Sequence, residues 1–370
     1  LAVRPLSGVH CQQRSALGET SIRVTNNRPR PLFIHSPPPD TSVNSGSADD
    51  LWMLDPRQIL WRDRLILTRD VAIAGERTEF YARVRAGEFV AVRRGVYMRA
   101  DQWTALDVDE QYRARIHGTV AYLNSDPVVS HASAAALWKL PWFEPYPRGV
   151  HILGETAIGG RSTSAVVRHT VGVPEEIVWI DGIRVTSLAR TVVDVARTVS
   201  FAQAVAVADA ALRRTRFPDI CVPESALLRA DLESAVAELP VAHGSARARA
   251  VVAFADPDAD RPGESVSRVN MSIARLTAPV LQAELRGASG RVWHVDFWWP
   301  QFNVIGEFDG KAKYTDDRYL RGRSPQQALY DEKLREDDLR RAGHGFCRWP
   351  WTTATSVDRL RALLIEAGVR

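Results

Sequence analysis

No apolar run in this 370-residue chain approaches the ~20 residues that a helix needs to cross a bilayer, which argues against a helical membrane protein. The N-terminal stretch has none of the short apolar core that a secretory signal carries. Cysteine is scarce as well: Cys11, Cys221 and Cys347 lie far apart and form no C-x-x-C metal or redox pair. These absences make a reducing cytoplasm the expected location. What is present is ordinary for a soluble globular protein, with 45% hydrophobic and 25% charged residues. At about 100–200 residues per domain, the length favours two or three domains. A net charge of +4 and a pI near 9.1 point mildly to polyanionic partners, because clustered Lys and Arg release counterions from phosphate backbones.

Residues 1–50 contain Asn26-Asn27, the run Pro37-Pro38-Pro39 and a Ser/Gly/Asp-rich stretch over 41–50, with almost no apolar periodicity. A disordered tail is expected there. The first methionine, Met53, directly precedes the patterned region, so an over-extended gene start is one explanation of the tail. Over 51–105 the pattern changes. Thr68 suits the N-cap of a helix over 69–74 that Gly75 closes, and Thr78 suits the cap of a second over 79–86 that Gly87 ends. Residues 89–99 then alternate apolar and basic residues around a turn, as a two-stranded wing does. Helix, turn, helix and basic wing together read as a winged helix-turn-helix, in which the second helix enters the major groove and the wing touches phosphates. Arg83, Arg85, Arg93 and Arg94 are its candidate DNA contacts, the alternative being a solvated basic hairpin.

Residues 106–255 read as a mixed α/β region without locatable chemistry. Ser130 suits the cap of a helix running from His131 to Trp138, and two helical patterns adjoin over 188–213. His131 is expected as a packed helix-terminal histidine and Asp194 as a salt-bridge partner, neither with a functional role.

Over 256–370 the expected order is helix (264–277), strand (280–286), strand (291–299), strand (303–311), helix (325–342), strand (345–349) and an added helix (356–367), that is αβββαβ with an extension. A turn-prone loop at 300–303 sets residue 299 opposite 304 and, carried back along both strands, Asp296 opposite Glu307. Facing carboxylates lie ~5 Å apart at Cβ and repel, so the pair points to a cation between them. Oxygen donors without a His/Cys cluster favour Mg²⁺ or Mn²⁺ over Zn²⁺. Asp309 and Lys311 continue the same strand face, which places Lys311 to orient or activate a water. Glu264 opens a helix with Arg268 one turn later, so Glu264 can join the cluster while Arg268 braces it or meets phosphate. Metal, deprotonated water and a nearby cation are what phosphodiester hydrolysis requires. The alternative is a set of solvent-facing acids, against which the apolar neighbours Val295, Phe297, Val304 and Ile305 argue.

Glu264-Ser265, Asp296-Phe297, Glu307 with Asp309, Lys311, Lys313 and Tyr314, the stretch Glu332 to Asp337, and Arg348-Trp349 follow one another in an order that resembles the PD-(D/E)XK nuclease superfamily, in its very-short-patch-repair-like branch. The N-terminal module resembles the winged-helix domain of AbiEi-family antitoxins from type IV toxin-antitoxin systems. The middle motifs, Ser130 to Leu137, Thr186 to Asp194 and Ala208 to Arg213, are similar to actinobacterial proteins that combine the two. The resemblance spans roughly 57–370. It implies a restriction-endonuclease-like fold, metal ligation by Asp296 and Glu307 with support from Glu264, and a catalytic lysine. In the family that lysine follows its acid by two positions, where Asp309 stands here after Glu307; the lysine fits if Asp309 and Lys311 are the pair, or if it has migrated. Lys313, Lys333, Arg335, Arg340 and Arg341 are candidates to follow a phosphate backbone, with a solvated charged face as the alternative. Two functions follow as expectations: a DNA-binding Mg²⁺-dependent endonuclease, or an AbiEi-like antitoxin and transcriptional regulator with an inactive nuclease fold and a nucleotidyltransferase-like toxin as genetic partner. A protein-interaction scaffold is a third.

Overall fold

The computed structural model describes residues 61–73, 75–123, 125–154, 162–169, 176–216, 226–238, 244–310 and 324–370. The expected tail, Met53, Lys311 and Lys313 lie outside these. Leu54–Arg370 forms one compact unit of mixed α/β character. Among the described residues no helix is long and apolar enough to cross a membrane.

The unit begins with α1 (Trp61–Arg64), β1 (Ile66–Leu67), α2 (Thr68–Ile73), α3 (Arg77–Arg85), β2 (Phe89–Arg93) and β3 (Val96–Arg99), and the strands form an antiparallel sheet in the order β1-β3-β2. Gly75, at φ +76°, turns the chain between α2 and α3 through a conformation that side-chain-bearing residues rarely adopt. The two threonines do not cap as expected. Thr68 is the first residue of α2, where its N–H is held by the Gly95 carbonyl at 3.1 Å across the β2–β3 turn. Thr78 lies inside α3, whose N-cap is Glu76. Helices α4 (Ala100–Thr104) and α5 (Val108–Leu123) close the core, in which Val96 and Met98 pack with Trp61, Leu67 and Ala114.

Next come α6 (His131–Leu137), the parallel pair β4 (Val150–Leu153) and β5 (Val166–His169), and the hairpin β6 (Ile177–Ile180) and β7 (Ile183–Thr186). Val129 bridges to both Ile152 and Val185 and so joins the two pairs. A helical layer follows: α7 (Leu188–Thr198), α8 (Phe201–Arg216), α9 (Arg229–Ala237) and α10 (Ser245–Phe254). Its core is made of small residues such as Val192, Ala204, Val205, Ala208 and Val251, which let the helices approach closely.

The last part runs α11 (Pro262–Ile273), β8 (Val280–Arg286), β9 (Val292–Trp299), β10 (Val304–Asp309), α12 (Pro325–Arg341), β11 (Gly345–Pro350), α13 (Trp351–Ala354) and α14 (Val357–Glu366), in the order expected. The sheet order is β11-β10-β9-β8, with β10 and β11 parallel and the other pairs antiparallel. Val304 stands opposite Trp299 and Gly306 opposite Phe297, which is the register set by a 300–303 loop. Helix α11 serves two cores: Val269 belongs to that of α7–α10, Met271 to that of Phe297, Trp299, Trp349, Leu360 and Leu364.

Gly306 has the indole rings of Trp349 and Trp299 stacked over its Cα, 2.7 and 2.9 Å from where a Cβ would stand. Gly306→Ala is therefore expected to destabilise the protein by about 1–3 kcal/mol through overpacking. Denaturant unfolding of the two chains checks this, and an unchanged midpoint would show that the indoles yield freely.

Candidate functional site

The sheet changes face at one row of residues. Leu281 pairs with Phe297, and both pack toward the α11 and α14 side, whereas Ala283 pairs with Val295 and both pack with Leu339 of α12. Residues two apart on a regular strand share a face, so the switch occurs at Gln282 and Asp296. Gln282 carries the irregularity, with φ at +45°. On the other side the β9–β10 ladder ends at Gly306 and Phe297, one pair short of the expected opposition of Asp296 and Glu307. Asp296 Oδ2 instead accepts the Phe308 N–H at 3.0 Å, a carboxylate standing in for a ladder carbonyl.

Glu264 lies against this row beside Asp296, and Glu307 follows on β10; among the described residues these acids do not form a group of three ligand atoms within 4.8 Å of one another. Glu264, in the first turn of α11, is 1% exposed and its Oε2 accepts the Asp260 N–H at 2.9 Å and Gln282 Nε2–H at 3.2 Å. Burial and then the charge of Asp296, with Asp260 behind it, hold the Glu264 carboxyl well above the usual carboxylate range. Glu307, also 1% exposed, stands opposite Arg348 in the β10–β11 ladder, and its Oε2 accepts from Arg335 Nη2 on α12. Arg348 gathers further acids: Glu332 at 2.7 Å, Glu336 at 3.0 Å and Asp309 at 3.3 Å, with Glu307 at 3.9 Å. The site thus alternates carboxylates with two guanidinium groups.

Several expected cations act elsewhere. Arg268 neither braces Glu264 nor faces solvent: only 11% exposed, it donates to Asp209 Oδ2 of α8 and to the Phe254 carbonyl, both at 2.9 Å. A buried carboxylate across the α8–α11 contact is a stronger partner than a neighbour already served by Gln282. Arg335 does not follow a phosphate backbone, being engaged by Glu307 and, at 2.7 Å, by the His294 carbonyl. Arg93 lies 4.2 Å over the Tyr122 ring, with Nε and Nη1 buried, and is no surface contact. Arg83 is tied to Glu88 at 2.9 Å and covers Phe89. Arg85, Arg94 and Lys333 are exposed, as a phosphate contact must be.

A second cluster was not expected. His131 opens α6, His151 lies on β4 and His169 ends β5, and their ring nitrogens come within 4.8 Å of one another. His131 stacks on His169 with centroids 3.5 Å apart, and His169 Nε2 lies 3.0 Å from His151 Nδ1. Asp194 has the expected ion pair, to Arg190 at 2.9 Å, yet its second oxygen faces His131 Nδ1 at 3.8 Å. Ser130 does not cap α6 with its side chain; its hydroxyl meets His131 Nδ1 at 3.0 Å.

The chain is similar to two mycobacterial proteins. Uncharacterized protein Rv2248 of Mycobacterium tuberculosis (strain ATCC 25618 / H37Rv) and uncharacterized protein MT2308 of the strain CDC 1551 / Oshkosh are each 28% identical to it over 233 residues, covering 63% of this chain and 78% of theirs. No protein-family description and no solved structure matches. The chemistry of these two clusters therefore rests on their own geometry. The carboxylate row offers hard oxygen donors; the histidine cluster offers nitrogen donors.

Burial, with His169 and His151 as the next contributors, pushes His131 down to about 2, and burial with His169 pushes His151 down to about 4, both from 6.5. The fixed charges of Arg190 and Arg197 face His131 and act in the same direction, with Asp194 on the opposite side. Lowered folded values mean that the unfolded chain binds more protons, so this stability is complete above 6.5 and is lost as pH falls. Each of the two histidines is expected to cost up to about 1.4 kcal/mol per pH unit on acidification below that point. Thermal unfolding between about pH 7 and about pH 5 should show this decline, with a shallower slope in His151→Gln; equal slopes in the two chains would contradict it.

Proposed function

We propose that the protein is a DNA-binding protein whose C-terminal αβββαβ part is a restriction-endonuclease-like domain hydrolysing DNA phosphodiesters with Mg²⁺ or Mn²⁺. The observation that carries this reading is the burial of Glu264, from α11, beside Asp296 of β9, with Glu307 buried on the neighbouring strand β10. A fold has little reason to bury Glu264 beside Asp296 unless something positive belongs there, since burial and the Asp296 charge both disfavour its charged form. Their donor set consists of carboxylate oxygens, which suits a hard divalent cation. Glu264, Asp296 and Glu307 would hold the ion, which when bound supplies a Lewis acid for the phosphoryl oxygen and a water of lowered pKa. The protein's own part is then positional: the Phe308 N–H fixes Asp296, Gln282 and the Asp260 N–H fix Glu264, and Arg335 offsets the Glu307 charge. Lys311, two residues after Asp309 in the sequence and outside the described residues, is the proposed water-orienting group.

The N-terminal part supports DNA binding through its order of helix, tight turn, helix and hairpin, read as a winged helix-turn-helix with α3 toward the major groove. Arg85 on α3 and Arg94 at the hairpin turn are its phosphate contacts; Arg83 and Arg93 are spent on Glu88 and Tyr122. A second reading has its own support. The Arg335–Glu307 pair places a guanidinium on one of the three carboxylates, as an inactive nuclease fold kept for binding would, and an AbiEi-like regulator then results.

Purified protein incubated with duplex DNA and Mg²⁺ is expected to cleave it, and Asp296→Asn to lower the rate by about 10²-fold or more while binding persists. Binding without cleavage in the wild-type chain sinks the enzyme reading and leaves the regulator. For the DNA contact, Arg85→Ala and Arg94→Ala should each reduce the slope of log affinity against log salt by about 1. A slope unchanged in the double variant removes the proposed docking face.

A further inference from the structure

We propose that His131, His151 and His169 form a binding site for a borderline divalent transition-metal ion, with Zn²⁺ the best match, that clamps the start of α6 to the β4–β5 pair. The site lies in the middle α/β region and is separate from the carboxylate row in both residues and chemistry.

Geometry comes first. Tetrahedral zinc with bonds of 2.0–2.1 Å sets its ligand nitrogens roughly 3.3 Å apart. His169 Nε2 and His151 Nδ1 already stand 3.0 Å apart, and the third nitrogen lies within 4.8 Å; the His131 ring, stacked on His169, turns out of that stack to complete the set. Ser130 Oγ and Asp194 Oδ2 occupy the Nδ1 side of His131, which leaves Nε2 as its ligand atom. Two of the histidines are placed by strand pairing rather than by loops: in the parallel β4–β5 register His151 stands opposite Val167 and His169 opposite Leu153. Three protein nitrogens leave a fourth position open, the arrangement of a site able to bind a water or a further ligand.

Asp194 supplies an independent sign. Its side chain is fully buried, Oδ1 is paired with Arg190, and Oδ2 has no hydrogen-bond partner while aimed at His131 Nδ1. At 3.8 Å the contact is too long to be a hydrogen bond. A metal on Nε2 would fix the proton on Nδ1 and make it a stronger donor, which is the carboxylate–histidine–metal relay that orients such ligands. A stack of hydrogen-bonded neutral imidazoles accounts for the His151–His169 contact, and leaves a buried carboxylate oxygen unexplained.

The test uses the full chain, stripped with chelator and titrated with Zn²⁺, then with Co²⁺ as a spectroscopic probe. One equivalent of Zn²⁺ per chain is expected, with a raised unfolding midpoint and the intense visible absorption of tetrahedral Co²⁺. His151→Ala and His169→Ala, chosen because both side chains are only half-buried, should each abolish tight binding while circular dichroism stays unchanged. Asp194→Asn should weaken binding by about 10–100-fold without abolishing it, as an outer partner does. Asp296→Asn should leave Zn²⁺ binding intact. Absence of a bound equivalent in the wild-type chain, or equal binding by folded His169→Ala, overturns the proposal and leaves a hydrogen-bonded histidine stack only.

Discussion

A carboxylate taken out of water costs several kcal/mol unless its charge is met, and the C-terminal sheet buries Glu264 and Glu307 almost completely. The placement of α12 answers this requirement. Glu332, Arg335, Glu336 and Leu339 recur at helical spacing, so one stripe of α12 carries both the guanidinium for Glu307 and the leucine that packs on Val295 and Ile305. Asp338 beside that stripe accepts from Trp293 Nε1 at 2.8 Å and Ser289 Oγ at 2.7 Å, fixing the helix to the β8–β9 hairpin. Charge neutralisation and hydrophobic docking are thus one constraint. Moving α12 would uncover Leu339 and take Arg335 away from Glu307 together.

Helix α11 imposes the matching constraint from the other face. Glu264 turns toward the sheet, while Ser265 and Arg268 turn toward Asp209, which also accepts the Asp256 N–H at 2.7 Å. Ser267 accepts from Trp349 Nε1 at 2.8 Å, and Asn270 donates to the Ala354 carbonyl. Burial pushes the Asp209 carboxyl up to about 7 against the pull of Arg268, so the α8–α11 contact is another place where a buried acid depends on its partners. A single helix therefore couples the helical layer, the sheet and the carboxylate row, and contacts cross the boundary expected near residue 255.

The order of elements in the C-terminal part was legible because strand alternation, loop residues and helix periodicity are local, and the hairpin register followed from the loop at 300–303. The ladder's early end was not, because it depends on Gln282 adopting φ +45° and on Asp296 replacing a carbonyl, which are products of packing. The partners of the arginines failed for the same reason. Spacing along one helix placed Arg268 with Glu264, yet the deciding neighbour was Asp209 on another helix. Thr68, Thr78 and Ser130 had the right chemistry for caps, but tertiary partners or a shifted helix start took precedence. The histidine cluster gave no local signal at all: its members are far apart in sequence and meet only through the pairing of β4 with β5 under α6.

The two clusters also differ in what competes with a cation. At the carboxylate row burial and the Asp296 charge raise the Glu264 carboxyl and Arg335 sits on Glu307, so a divalent ion there would have to loosen a guanidinium. At the histidine cluster burial lowers His131, and Asp194 faces its Nδ1 side, away from the proposed ligand nitrogen. Hard and borderline ions would then partition between the clusters by donor type as well as by the cost of entry. The leading cause is shared: burial disfavours the charged form, which raises the Glu264 carboxyl and lowers His131.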